Sequence, residues 1–125
     1  MKLTRDGDAF IARLTPSQVS AMYEALSYLR HRDFDDTALT LLVGARRDGG
    51  DAVLERLVGP HTESRDFRFA TQELHTVHSA LTAAPTMFLV RDGAFLQEPF
   101  HIRLGFYREN LDALTHAIMQ AATEG

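Results

Sequence analysis

Two stretches of this chain match each other at one fixed spacing, and that constrains the fold more than any other feature. Gly44-Ala45-Arg46-Arg47-Asp48-Gly49-Gly50-Asp51-Ala52-Val53 aligns with Gly105-Phe106-Tyr107-Arg108-Glu109-Asn110-Leu111-Asp112-Ala113-Leu114, 61 residues further on, with Gly, Arg, Asp and Ala repeated in place. Upstream, Val19, Met22, Ala25 and Leu26 align with Leu74, Val77, Ala80 and Leu81 at a spacing of 55. The second copy therefore carries a small insertion between about Thr82 and His101. A duplicated unit buries its apolar face by sharing a core with its twin. The pattern predicts one domain over 1–125, with repeat halves at 8–59 and 65–123 and an added hairpin around 86–98.

The local patterns read as a β-α-β-α unit used twice. Phe10-Ile11-Ala12-Arg13-Leu14 alternates like a strand with one buried face. Thr15-Pro16-Ser17-Gln18 is a helix start with a capping box, and Val19, Met22, Tyr23, Leu26 and Leu29 form the apolar stripe behind it. Leu39-Thr40-Leu41-Leu42-Val43 is β-rich and predicts a second strand broken at Gly44; a short helix runs from about Asp51 to Val58 and stops at Gly59-Pro60. In the second half, Phe67 and Phe69 alternate as a strand, and Thr71-Gln72-Glu73 opens a helix that buries Leu74, Val77 and Leu81. Met87 to Val90 reads as an extra strand turning at Asp92-Gly93, Phe100 to Phe106 as a further strand with Pro99 at its rim, and Leu111, Leu114, Ile118 and Ala121 as a terminal helix capped by Asn110. The strands carry a polar residue at every second position, which disfavours a parallel sheet covered on both sides. The expected architecture is an α+β two-layer sandwich from a tandem β-α-β-α duplication: a mostly antiparallel sheet of about five strands, four helices on one face, and the other face open.

Composition narrows the function classes. The chain has 45% apolar residues, no cysteine and a formal net charge of −4. No apolar run is long enough to span a bilayer, and the charged Met1 to Asp6 segment is unlike a signal peptide, so a cytoplasmic location is expected. Without cysteine there is no thiolate metal site, and no cofactor is implied. Net acidity disfavours nucleic acid as a partner, although Arg13, Arg68 and Arg103 are the residues such a reading would use. Phosphate-binding glycine loops, HExxH and GxSxG are absent.

Three constellations remain. His75 and His78, three apart on a helix, share a face and are weak candidates for a metal pair, with His61, His101 or Glu98 as the third ligand. His78 takes the stripe position of Tyr23, which favours a packing role. The repeated Gly-x-x-Arg and Asp-Ala pairs read as structural: Gly44 and Gly105 as bends at strand ends, Asp51 and Asp112 as first-turn carboxylates paired with Arg47 and Arg108. The third is the open sheet face. With Phe10, Leu41, Phe69, Ile102 and Leu104 turned to the helices, Ile11, Arg13, Leu42, Arg68, His101, Arg103 and Tyr107 face outward, a mixture resembling protein interfaces. Phe95 and Leu96 at the hairpin tip extend that surface. The expected function is a non-enzymatic module that binds another protein or a second copy of itself, as an immunity or inhibitor-type protein does by occlusion. The alternatives are a small metal-dependent or small-molecule enzyme at His75 and His78, and a nucleic-acid-binding protein.

Overall fold

The computed structural model describes residues 1–32, 35–59, 61–88, 95–106 and 108–124, with the backbone alone at 98, 100, 102, 103 and 124. The chain is α+β, with strands β1 (Lys2–Asp6), β2 (Ala9–Leu14) and β3 (Arg65–Ala70) and helices α1 (Pro16–Arg30), α2 (Asp36–Val43), α3 (Arg47–Leu57), α4 (Thr71–Thr86), α5 (Gln97–Leu104) and α6 (Arg108–Glu124). The strands form one antiparallel sheet in the order β1-β2-β3. β1 and β2 are joined by a tight turn in which Gly7 takes φ 62°, a left-handed conformation that glycine adopts without strain. Alternation then sorts the side chains. Leu3, Phe10, Ala12, Leu14, Phe67 and Phe69 are buried on the helical side, while Thr4, Arg13, Asp66 and Arg68 stand exposed on the other.

α1 and α4 pack on each other and on this inner face, α3 leans on α1, and α6 on α4 and β1. α1 starts as its sequence requires: the Gln18 N–H donates to Thr15 Oγ1 (3.2 Å) and the Thr15 N–H to Gln18 Oε1 (3.0 Å). At the head of α4, Glu73 accepts from the Ala70 N–H at 2.8 Å and from Arg56 at 2.8 Å.

Among the described residues there are three strands and six helices, where about five and four were expected. Leu39 to Val43 is not a strand. Its ends are capped as a helix, with Asp35 accepting from the Ala38 N–H at 2.8 Å and Gly44 closing α2 at φ 70°. Leu39 and Val43, four apart, are buried, while Leu41, expected to face the helices, is 84% exposed. Most of the stretch from Phe100 to Phe106 is likewise helical: it lies largely in α5, where Pro99 sits in the first turn and Gly105 closes the helix at φ 77°. Both glycines thus end helices, not strands. α3 and α6 begin at Arg47 and Arg108, so Asp51 and Asp112 lie one turn in and the first-turn carboxylates are Asp48 and Glu109. Met87 and Phe88 close α4, and the expected turn at Asp92-Gly93 lies outside the described residues. β1 was not anticipated at all.

Candidate functional site

The open face of the sheet brings together three of the residues singled out by alternation. The register sets Thr4, Ile11 and Arg68 side by side, and Lys2, Arg13 and Asp66 in the next row. Ile11 is half-buried at the centre of the middle strand. Around it, Arg13 donates to Asp66 at 3.2 Å, and Arg68 reaches across β2 to Asp6 at 3.1 Å. All four charged side chains are more than half exposed, so these pairs orient the guanidinium groups without contributing much stability, on the order of 0–1 kcal/mol each.

The other expected members are elsewhere. Leu42 is on α2, half-buried against the core; His101 and Arg103 are on α5, His101 half-buried. All three leave the sheet because the segments that carry them are helices, each closed by a left-handed glycine, Gly44 or Gly105. Phe95 is not at an exposed tip: it packs against the core with the Arg108 guanidinium 4.8 Å above its ring. Tyr107 lies outside the described residues.

His75 and His78 share one face of α4, as the spacing required. They line a pocket of ≈ 200 Å³ with Leu74, Ile118, Met119 and Ala122. His78 is half-buried, and burial, aided by the neighbouring His75, lowers its pKa from the ordinary imidazole value. His75 is exposed, 3.4 Å from Ser79 Oγ. Among the described residues no three His, Asp or Glu side chains gather where they could hold one metal ion. A second pocket of ≈ 180 Å³ includes Val19, Ser20, Tyr23, Leu57, Val58 and His61. The first three stand 55 residues before Leu74, His75 and His78, and the last three 61 residues before Ile118, Met119 and Ala122. Val58 and Met119, matched in this way, are both exposed, at 56% and 53%.

A charged cluster that sequence reasoning missed surrounds the starts of α2 and α3. Asp51 holds the Arg30 side chain through both carboxylate oxygens, Arg47 donates to the Arg30 carbonyl at 2.8 Å, and Arg46 pairs with Asp36 at 3.3 Å. The expected Arg47–Asp51 pair is replaced by Arg30–Asp51, whereas Arg108 and Asp112 do approach, at 3.8 Å. Asp51 and Asp36 are each matched by a cation and Asp35 and Asp48 accept from backbone N–H groups, so the cluster ties α1 to α3 more than it offers charge to a ligand.

Comparison with protein-family models, with curated proteins and with solved structures found no match in any of the three. Among the described residues no helix is long and apolar enough to cross a membrane.

Proposed function

We propose that this chain is a non-enzymatic protein-binding module that works in the cytoplasm by occlusion, as an immunity or inhibitor-type protein does, with the open face of its sheet as the contact surface. The observation that carries this reading is the half-buried Ile11 ringed by Lys2, Arg13 and Arg68. Around this apolar centre Lys2, Arg13 and Arg68 alternate with Asp66 and Asp6, a mixed-charge rim that suits a partner presenting the complementary alternation around an apolar contact. Arginines already held by Asp66 and Asp6 meet such a partner with less side-chain entropy to lose. Cross-linking in the native cell followed by mass spectrometry tests it. Ile11→Asp should abolish recovery of the partner and Arg68→Ala weaken it, with His75→Ala leaving it intact; equal recovery from Ile11→Asp, with an unchanged melting curve, refutes it.

The same reading holds that the halves are tandem copies, now β-α-α-α, with β1 added before the first. Supporting it, the order β2-α1-α2-α3 recurs as β3-α4-α5-α6, and α2, Gly44 and the start of α3 lie 61 residues before α5, Gly105 and the start of α6. The β2–β3 register is centred on Ala12↔Phe67, flanked by Phe10↔Phe69 and Leu14↔Arg65, so a shift of 55 exchanges the two strands in register. The matched pockets at Tyr23 and His78 agree with it.

A second reading rests on the second of those pockets. An apolar floor beneath two imidazoles, one with its pKa lowered by burial, suits a small apolar ligand with a hydrogen-bonding group. Fragment binding reported by His78 ring shifts in NMR would favour it over the occlusion role.

A further inference from the structure

β2 is hydrogen-bonded on both sides, which leaves β1 and β3 as the edges of the sheet. Among the described residues, no backbone group pairs with the outer edge of β3. Edge strands are ordinarily protected by charged side chains, lysine above all, by proline, by a bulge or by a covering segment; the charges of β3 are of both signs, so they repel a neighbouring strand only in the registers that set like against like. β3, with the sequence Arg65-Asp66-Phe67-Arg68-Phe69-Ala70, has no proline and no lysine, and its six residues pair with β2 without a bulge.

The sequence of this strand is complementary to itself. Laid antiparallel on a second copy and centred on Phe67, Asp66 faces Arg68 of the second copy, Arg68 faces its Asp66, and each Arg65 lies opposite a Phe69. Both charges sit on the open side of the sheet, so the opposed pairs continue the ladder made by Arg13–Asp66 and Arg68–Asp6. Each group has capacity to spare. Asp66 uses Oδ1 for Arg13, and Arg68 uses Nε for Asp6, leaving a carboxylate oxygen and the guanidinium amino groups for the cross-chain pair.

We propose that β3 is a dimerisation edge, pairing antiparallel with β3 of a second copy about Phe67 to make one continuous sheet with a shared open face. The inference concerns the edge of the sheet and does not depend on what the face binds.

Sedimentation equilibrium or light scattering tests it on the whole chain. The wild type should run at twice the 14.0 kDa chain mass in the micromolar range, and a monomer throughout that range overturns the proposal. Asp66→Arg alone and Arg68→Asp alone set like charges opposite each other twice, and each should be monomeric. Mixed together they restore opposite signs at both pairs and should form a heterodimer. Single variants that stay dimeric, or folded monomers that do not combine on mixing, overturn it. Arg5→Glu, on the other edge and off the open face, should leave the mass unchanged; monomers from that variant alone would assign the contact to β1 and defeat the proposal. If either β3 variant fails to fold, hydrogen exchange of the wild type decides. Protection of the amides of residues 65–70 should rise with protein concentration, and protection independent of concentration sinks the idea.

Discussion

Gly44 and Gly105 end α2 and α5 in the same left-handed conformation, at φ 70° and 77°, yet their surroundings differ. A Cβ added at Gly44 would stand 2.7 Å from the His75 ring, and the Gly44 carbonyl accepts from Gln72 at 2.7 Å, so this turn is docked on α4. A Cβ at Gly105 would meet nothing within 4 Å. One backbone conformation thus serves two ends. At Gly105 the glycine answers only to the dihedral angle; at Gly44 it also answers to a close approach between helices.

Substitution should separate the two requirements. Either Gly→Ala change forces a left-handed alanine, at a cost of about 1–2 kcal/mol. Gly44→Ala should be the more damaging, but only by about 0.5 kcal/mol, because the atoms in the way are the ring end of the exposed His75 side chain, which can turn aside. In a double-mutant cycle by denaturant unfolding, His75→Ala should remove that excess, and equal costs at both glycines would break the comparison. Next in size is the start of the same helix. Asp35→Ala should cost about 1 kcal/mol by removing the bond to the Ala38 N–H, a cap that α5 lacks at Leu96. Smaller again is the carboxylate one turn into each following helix: Asp51→Ala should lower stability by removing both bonds to Arg30, and Asp112→Ala by less, since Arg108 approaches it only to 3.8 Å and Asp112 is 62% exposed.

The smallest effect is one of pH. Burial lowers the pKa of His78, so the unfolded chain binds that proton more readily than the folded one, and stability is lost as pH falls below about 6.5. His78→Tyr, which copies Tyr23 of the first half, should flatten the decline in Tm between neutral pH and about pH 5.5. Glu73 titrates lower. Burial pushes its pKa up, but the Ala70 N–H and Arg56 outweigh that and hold it below the usual carboxylate value, so its contribution is present above about pH 4.5 and fades in stronger acid. A variant whose decline matches the wild type would remove His78 from the account.

The same contrast shows what could be read from the chain. β2, β3, α1 and α4 were legible because Phe10 to Leu14 and Phe67 to Phe69 alternate cleanly, and because Thr15 and Gln18 announce a capping box that the fold completes. α2 was misread because in eight residues Leu39, Leu41, Leu42 and Val43 fit a strand and a helix equally well. The decision lay in Asp35 and Gly44, whose capping signals outrank the β preference of the residues between. α5 was misread because Phe100, Ile102, Leu104 and Phe106 recur at period two and only Gly105, at its far end, signals a helix, and with it His101 and Arg103 failed as members of the face. β1 gave no signal because only Leu3 of its five residues is buried. On the site, alternation placed Ile11, Arg13 and Arg68 together, but their carboxylate partners Asp66 and Asp6 depend on strand register, which is set by tertiary pairing.

The central strand also has two neighbours of very different origin. β1 reaches β2 over the Gly7-Asp8 turn, a closure available within microseconds, whereas β3 returns only after three helices have been laid down, joining Ala12 to Phe67. The sheet therefore closes over a single long excursion, and of the two pairings of β2 the one that joins Ala12 to Phe67 is expected to form the more slowly.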